Sequence, residues 1–162
     1  MAGNAGSQRN DGGEQRQAGF ADRFADEVVS DHRRDSRERL NAISQDVLDG
    51  AIAIHREFGP GLLESAYQRA MVVELRERGL KVDAEVQVDG EWRGQSIGLA
   101  FRADLIVERC VLVELKAAEQ LTGLYRSQTR TYLKLLDFRL GLLINFNSVR
   151  LVDGYERILN RF

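Results

Sequence analysis

The feature of this chain that most constrains its fold is a change in the spacing of its apolar residues. Between Leu40 and Phe58 apolar residues recur every three or four positions, which predicts an amphipathic helix. Gly59-Pro60-Gly61 ends that helix, because proline cannot continue the hydrogen-bond ladder and glycine supplies a left-handed turn. The same spacing predicts a second helix over residues 62–78, which stops at Gly79. Downstream of Gly79 the pattern changes to one that favours strands.

A set of strands follows the two helices. Residues 81–88 favour a strand, and Asp89-Gly90 after them is a strong signal for a hairpin turn. Residues 97–107 alternate well, and a tight link at Glu108-Arg109 leads to a short apolar strand over residues 111–115. The later elements are predicted to be a helix over 121–136, strands over 140–146 and 149–152, and a short helix or strand over 155–162. This order predicts an α/β fold in which helices flank a central mixed β-sheet.

The length and composition of the chain indicate one domain with a tail. The chain has 162 residues, of which 43% are apolar, enough for one core. Residues 1–20 are rich in Gly, Asn, Gln and Arg and contain almost nothing to bury, which predicts disorder. Residues 21–39 carry charges of both signs and predict a frayed helix at most. We therefore assign residues 1–39 to a disordered or partly helical tail and residues 40–162 to the folded domain.

Charge and cysteine content limit the functions and locations open to the protein. The formal net charge is −2 at pH 7, so nucleic-acid binding would depend on a local basic patch or on a metal ion. Cys110 is the single cysteine and cannot form an internal disulfide, which fits a reducing cytosol. The longest uncharged apolar run, residues 140–147, is too short to cross a membrane, and the N-terminus lacks an apolar signal-peptide core. A cytoplasmic location without membrane contact is expected.

Asp104 and the tripeptide Glu114-Leu115-Lys116 carry the candidate chemistry. Glu114 and Lys116 are two positions apart on a predicted strand, so their side chains leave the same face. Asp104 lies on the preceding strand, and the tight link between the strands would place it opposite residues near Glu114. Two carboxylates and a lysine arranged in this way would hold a hard cation and orient a water, as the cutting of a phosphodiester requires.

A simpler interpretation of the same residues is a cross-strand salt bridge between Lys116 and either Asp104 or Glu114. Such short patterns often arise by chance, so these residues alone leave both interpretations open. If the site binds a cation, Mg²⁺ or Mn²⁺ is expected, because Mg²⁺ prefers carboxylate oxygens and keeps several waters. A zinc site is excluded in practice by one cysteine and two distant histidines.

Residues on two predicted helices accompany this set. Glu64 lies at the start of the second helix, where the helix dipole alone favours a glutamate. Tyr67 shares its face and is, by itself, more often a core residue. Gln128 and Tyr132 are four positions apart on the third helix and share a face, which also suits a hydrogen-bonded pair at the edge of the core.

Arg126 and Arg130 add positive charge to the third helix. Both are candidates for contacts with phosphates of a nucleic acid. A run of charges on a helix is more often a solvated face, and this alternative also stays open.

The segment Gly61-Leu-Leu-Glu64-Ser-Ala-Tyr67 resembles the signature of the GxxExxY proteins, a bacterial group within the PD-(D/E)XK nuclease superfamily. The resemblance runs from about Leu40 to Arg157. Supporting stretches occur in the family's order and spacing: Asp104-Leu-Ile-Val107, Val113-Glu-Leu-Lys116-Ala117, Gln128 with Tyr132, and Gly141-Leu-Leu-Ile-Asn145-Phe146. The resemblance implies a restriction-endonuclease-like core, in which a central mixed sheet carries helices on both faces. One departure is Tyr125, because relatives often have histidine at that position.

The resemblance also implies roles for individual residues. Asp104 and Glu114 would be metal ligands, and Glu64 would be the extra helix carboxylate that completes the metal site. Lys116 would be the catalytic lysine. Gln128 and Tyr132 resemble a glutamine-tyrosine element of one branch of the superfamily, in which the helix supports the site and contacts DNA.

The residues and the resemblance together predict hydrolysis of phosphodiester bonds that depends on Mg²⁺ or Mn²⁺, with DNA favoured over RNA. A homodimer is compatible with this function, because a nuclease with one small domain often needs two copies to cut both strands. The alternative is a catalytically silent module that binds nucleic acid or a partner on the same fold. The net negative charge and the small size favour that alternative.

Overall fold

In the computed structural model, which describes residues 36–160, three α-helices pack on a five-stranded β-sheet. The predictions for residues 1–35 and for the last two residues lie outside the described residues. The helices are α1 (Arg37–Phe58), α2 (Glu64–Glu77) and α3 (Gly123–Leu136). The strands are β1 (Val82–Trp92), β2 (Gln95–Val107), β3 (Val111–Lys116), β4 (Leu140–Asn145) and β5 (Tyr155–Leu159), with a short 3-10 helix (Leu151–Gly154) before β5.

The sheet is mixed, as the sequence predicts, and its strands lie in the order β1-β2-β3-β4-β5. Three neighbouring pairs are antiparallel, whereas β3 and β4 run parallel. A parallel pair needs a crossover connection, and α3 supplies it. The carboxyl ends of β3 and β4 therefore lie together at one edge of the sheet, next to the loops that precede α2 and α3.

Each face of the sheet has its own core. Helices α1 and α2 cover one face through buried residues such as Val47, Tyr67 and Leu75. Helix α3 covers the other face through Leu133, with the partly buried Tyr125 and Tyr132 beside it. Strand β3 is central and is buried along its length, except for the half-buried Lys116. Polar groups at the end of this strand are therefore held in an apolar setting.

Side-chain caps and left-handed residues set the ends of the helices. Ser36 caps α1 by accepting a hydrogen bond from the Arg39 N–H at 3.1 Å, so the helix begins three residues before the predicted Leu40. Thr122 caps α3 in the same way, and Asp137 ends it in the left-handed conformation, with φ of 56°. None of the described helices is long and apolar enough to span a membrane.

The predicted turn at Asp89-Gly90 is wrong. Strand β1 continues through these residues to Trp92, and the hairpin turns at Arg93-Gly94, where φ is 51° and 77°. Two successive left-handed residues match the twist of the flanking strands in a two-residue hairpin. Gly90 instead lies close to a neighbouring side chain, since an added Cβ would lie 2.9 Å from the Ile97 side chain, which would have to shift.

The predicted strand over residues 149–152 is also wrong. Val149 is 89% exposed, and the chain forms the 3-10 helix Leu151–Gly154, which buries the Leu151 side chain. The strand that pairs with β4 is β5, so the uncertain segment from Tyr155 onward is a strand up to Leu159. The tight link at Glu108-Arg109 is confirmed, since both residues have φ above 50° and join β2 directly to β3.

Gly154 packs against the end of β4, and we predict that Gly154→Ala destabilises the protein by about 1–3 kcal/mol, the usual cost of overpacking. An added Cβ would lie 2.7 Å from the Asn145 carbonyl oxygen and would also meet the Ser148 hydroxyl. Urea denaturation measures the change. Gly123→Ala is the matched control, because a Cβ there meets nothing within 4 Å. Equal stability of the two variants would contradict the packing argument.

Candidate active site

The candidate site lies where strands β2 and β3 stop pairing. The ladder between them ends at Leu105 and Val113. One position further, Asp104 and Glu114 would face each other, but the Asp104 carboxylate accepts a hydrogen bond from the Leu115 N–H at 2.8 Å instead. The Asp104 N–H lies 3.5 Å from Glu114 Oε1. The opening of the ladder therefore brings two carboxylates together at the edge of a buried strand.

Lys116 completes this group from the same face of β3. Its Nζ lies 3.7 Å from Glu114 Oε2, so the predicted closeness of the two residues is observed. The Leu115 side chain between them packs into the opposite core, with α1 and α2. The Tyr125 ring of α3 covers the ammonium group of Lys116, whose Nζ is 5.4 Å from the ring centroid. Lys116 is thus held between a carboxylate and an aromatic face.

Burial makes the two carboxylates hard to ionise. It raises the pKa of Glu114 to about 8, with a further contribution from the Asp104 charge, whereas Lys116 opposes the rise. Burial also raises the pKa of Asp104, and the Leu115 N–H and Lys116 oppose that rise. Glu64 adds to it, so its carboxylate lies within electrostatic reach of Asp104.

Glu64 approaches the same strand end from the first turn of α2. Its Oε2 accepts a hydrogen bond from the Ala117 N–H at 3.3 Å, directly after Lys116. Glu64 and Asp104 line one cleft, which has a volume of about 220 Å³. The structure therefore brings together the four residues Glu64, Asp104, Glu114 and Lys116.

Tyr67 holds the turn that carries Glu64. It is fully buried, its hydroxyl donates to the Gly59 carbonyl at 2.6 Å, and it accepts from the Leu62 N–H at 3.1 Å. Its ring stacks on Phe146, with centroids 4.3 Å apart, which contributes roughly 0.5–1.5 kcal/mol. None of these contacts joins Tyr67 to another candidate residue. Tyr67 therefore supports the site indirectly, by fixing the turn that positions Glu64.

Gln128 and Tyr132 lie on α3 and form the predicted pair. Gln128 Nε2 donates to the Tyr132 hydroxyl at 2.6 Å. The Tyr132 ring stacks on Phe101 of β2 at 3.7 Å between centroids. Burial raises the pKa of Tyr132, and the charges of Glu114 and Asp104 add to that rise. The tyrosine hydroxyl therefore lies within electrostatic reach of the carboxylates.

Arg126 and Arg130 lie away from this group. Arg126 makes a bidentate ion pair with Glu156 of β5, at 2.6 and 2.7 Å. Arg130 is exposed, and its charge contributes to lowering the pKa of Glu156, after the larger effect of Arg126. The ion pair orients the Arg126 side chain toward β5, and contact of either arginine with nucleic acid stays a prediction.

Sequence reasoning missed several residues that shape the site. Gln68 Nε2 donates to the Asp104 carbonyl at 3.2 Å, and Arg102 lines the same cleft as Asp104. Asn145 is 1% exposed and bonds both the N–H and the carbonyl of Ala118, at 3.1 and 2.8 Å, which fixes the loop after β3. The sequence could have indicated Asn145, since it is a polar residue at the end of an apolar strand. No sequence pattern indicates the contact between the Tyr125 ring and Lys116, because that contact depends on how α3 packs against the sheet.

The carboxylates fit a hard cation by their chemistry. Among residues 36–160, no group of three or more histidine, cysteine or acidic side chains is already arranged as a metal site. Burial nonetheless raises the pKa of both Asp104 and Glu114, and the Asp104 charge adds to the rise at Glu114, so the two carboxylates are costly to ionise together. A divalent cation would offset that cost, and Mg²⁺ needs only one or two carboxylates because it keeps several waters.

The raised pKa of Glu114 predicts a pH-dependent stability when no divalent cation is present. The folded state holds this proton up to about pH 8, whereas the unfolded chain releases it near 4.5, so this group costs stability increasingly as pH rises between those values. In EDTA we expect Glu114→Gln to be more stable than the wild type at pH 8, because the glutamine cannot ionise. The expected difference in the free energy of unfolding is on the order of 2 kcal/mol, less than the full pKa shift of Glu114 would give, because Glu114 and Asp104 titrate together. The difference narrows toward pH 5, and thermal denaturation measures it.

Glu156→Gln is the control of opposite sign. The hydrogen bonds from Arg126 lower the pKa of Glu156 in the folded state. Glu156 therefore stabilises the folded protein above the pKa that it has in the unfolded chain, and this stabilisation is lost as pH falls through its folded-state pKa. This variant should be slightly less stable than the wild type at pH 8, and a destabilised Glu114→Gln at that pH would contradict the burial argument.

Comparison with known proteins agrees with this geometry. A family model of the PD-(D/E)XK nuclease superfamily matches residues 41–158, well over half of the chain. No curated protein and no solved structure matches. The mixed sheet flanked by helices agrees with the restriction-endonuclease-like α/β fold that the sequence predicts, while placement in the GxxExxY group stays a prediction. The chain therefore belongs to the PD-(D/E)XK nuclease superfamily, which implies a nuclease-type function that acts on nucleic acid.

Proposed function

We propose that the protein is a nuclease that hydrolyses phosphodiester bonds in DNA with the help of Mg²⁺ or Mn²⁺. The observation that carries this proposal is the opening between β2 and β3, which gathers Asp104, Glu114 and Lys116 at one strand end. Membership of the nuclease superfamily makes a phosphodiester the substrate that these groups suit best. DNA is preferred to RNA on the resemblance of Gln128 and Tyr132 to a DNA-contacting element.

Asp104 and Glu114 are the proposed ligands of the cation, with Glu64 as the third carboxylate. When bound, such an ion polarises the phosphate and lowers the pKa of a bound water. The chain's own part is to present the Asp104 and Glu114 oxygens in a setting of low dielectric constant, with the exposed Glu64 carboxylate nearby. Hydrogen bonds from the Leu115 and Ala117 N–H groups to Asp104 and Glu64 fix the orientation of two of the three carboxylates.

Lys116 is the proposed catalytic lysine. Its ammonium group stabilises the ionised form of Glu114, since it opposes the rise in the pKa of that residue. The same group would orient the attacking water and stabilise the negative charge that develops on the phosphate. Tyr125 restrains the ammonium from the α3 side, so the charge is positioned before substrate binds. Gln128 and Tyr132 would support this face and contact the nucleic acid.

The nuclease proposal predicts that Lys116→Ala and Asp104→Ala each lower kcat about a hundredfold or more, because a preorganised charge is lost from the transition state. Purified protein is incubated with Mg²⁺ or Mn²⁺ and labelled single- and double-stranded DNA and RNA. Lys81→Ala is the matched control, since Lys81 is exposed at the start of the β1 region. Full activity of both site variants would contradict the proposal. The nucleic acid that is cleaved fastest decides whether DNA or RNA is the substrate.

The metal assignment predicts that Mg²⁺ raises the melting temperature of the wild type and not that of Asp104→Asn. Ligand that binds only the folded state stabilises it by mass action, so the shift grows with Mg²⁺ concentration. Differential scanning fluorimetry across a Mg²⁺ series gives the readout. Asp89→Asn, at an exposed position of β1, should keep the full shift. An equal Mg²⁺ shift in Asp104→Asn would remove Asp104 from the metal site.

A catalytically silent binding module is the second candidate. One observation favours it: Glu114 has a pKa of about 8 and is therefore largely protonated at neutral pH unless a cation binds. That state suits a buried structural carboxyl group as well as a ligand. The module would bind nucleic acid or a partner without cutting it, and its binding would be unchanged in Asp104→Ala. Metal-dependent cleavage that is lost in Lys116→Ala excludes it.

The remaining expectations belong to this proposal. A cytoplasmic location is supported by the single cysteine, Cys110, which cannot form an internal disulfide and so fits a reducing compartment. A homodimer is supported only by the need for two sites to cut both strands of a duplex. Sedimentation with and without duplex DNA tests the dimer directly.

A further inference from the structure

The cleft beside the carboxylates is lined by a positively charged side chain, Arg102, that has no role in the proposed chemistry. Its volume is about 220 Å³, and two of the proposed metal ligands face into it. The residues that line it are Glu64, Ser65, Gln68, Glu85, Arg102 and Asp104. Among these described residues, Arg102 carries the only positive charge. An anionic strand that approaches the site through this cleft would meet Arg102.

Arg102 lies two residues before Asp104 on β2 and stays accessible. Its side chain is 59% exposed. Burial raises the pKa of Asp104, and Arg102 is among the groups whose positive charge opposes that rise. Arg102 is therefore close enough to act at the same substrate phosphate region as Asp104, while solvent and ligands can still reach its guanidinium group.

The partner of Arg102 holds it loosely. Arg102 Nη1 lies 3.8 Å from Glu85 Oε1, and both side chains are more than half exposed. Exposed pairs of this length contribute little to stability, so the guanidinium group can exchange partners. Arg126 shows the opposite case, since its two hydrogen bonds to Glu156 are 2.6 and 2.7 Å long. A phosphate offers Arg102 the bidentate partner that Glu85 does not.

The backbone at Glu85 is distorted at the point that faces Asp104. Ala84 pairs with Leu105 and Val86 pairs with Ala103, which leaves Glu85 opposite Asp104 without a ladder partner. Glu85 has φ of 53°, an uncommon conformation for a residue other than glycine. Strain of this kind persists where the surrounding structure holds it, often at functional sites. The Glu85 carboxylate lies beside Arg102 in the same cleft.

We propose that Arg102 binds a phosphate of the nucleic-acid strand next to the bond that is cut, and that it leaves Glu85 for that phosphate when the strand enters the cleft. This inference rests on the proposed function and adds to it a substrate-binding residue. Glu85 competes with the phosphate for Arg102.

Two substitutions with opposite expected effects test the exchange. Arg102→Ala should raise KM and the Kd for a fluorescein-labelled oligonucleotide about tenfold, a usual effect of losing one charged contact. It should leave kcat within about threefold, because uniform binding is lost. Glu85→Gln removes the competing charge and should tighten binding. Kd is measured by fluorescence anisotropy in Ca²⁺ with single- and double-stranded oligonucleotides, and cleavage is measured in Mg²⁺.

Salt dependence and matched controls separate a phosphate contact from a structural role. Loss of one phosphate contact should reduce the slope of log Kd against log salt by about 1. Arg102→Lys should restore part of the affinity. Arg139→Ala removes the same charge from an exposed position just before β4, at the opposite end from Asn145, and should keep wild-type binding. The Mg²⁺-dependent shift in melting temperature should survive in Arg102→Ala, which also shows that the variant is folded.

The outcomes distinguish this inference from the nuclease proposal. Wild-type cleavage with unchanged KM, Kd and salt slope in Arg102→Ala overturns the role of Arg102 and leaves the nuclease proposal intact. If the wild type binds but does not cleave, a loss of binding confined to Arg102→Ala still supports the phosphate contact, whereas equal loss in Arg139→Ala overturns it. A wild type that binds no oligonucleotide overturns both proposals.

Discussion

The burial of two neighbouring carboxylates at the end of β3 is the constraint on which the site depends. Glu114 is 3% exposed and lies beside Asp104 in an apolar sheet, which is costly for two like charges. The chain offsets part of that cost with the Lys116 ammonium group and the Leu115 N–H. The remaining repulsion is what a divalent cation would relieve. The same arrangement therefore explains the raised pKa of Glu114 and supports the proposed Mg²⁺ site.

Loops at one edge of the sheet hold the other groups in place around this pair. Asn145 bonds the loop after β3, and Asn147 Oδ1 accepts from the Gly61 N–H at 3.0 Å, which ties the turn before α2 to the end of β4. Tyr67 fixes the same turn from inside the core. Glu64 is consequently positioned by three separate contacts of its neighbours, although it is itself exposed. Truncation of any of these anchors would act on the site through geometry rather than through charge.

The order of elements could be predicted from the sequence because each helix or strand buries its own apolar pattern. The two errors occurred where packing overrode local signals. The dipeptide Asp89-Gly90 is typical of a turn, but Gly90 lies in β1 close to the Ile97 side chain, and the chain turns four residues later, at Arg93-Gly94. Residues 149–152 look like a strand, yet Leu151 is buried by a single turn of 3-10 helix, and β5 takes the place at the sheet edge.

The sequence by itself determined which residues are candidates for the chemistry and that Glu114 and Lys116 share a face, because side chains alternate along a strand. Only the tertiary structure decided which positively charged side chains are available to a substrate. Arg126 and Arg102 look alike in the sequence, yet one is bound tightly to Glu156 and the other is loosely paired beside Asp104. The physical reason is that ion pairing and burial depend on residues distant in the chain, and no local pattern records those distances.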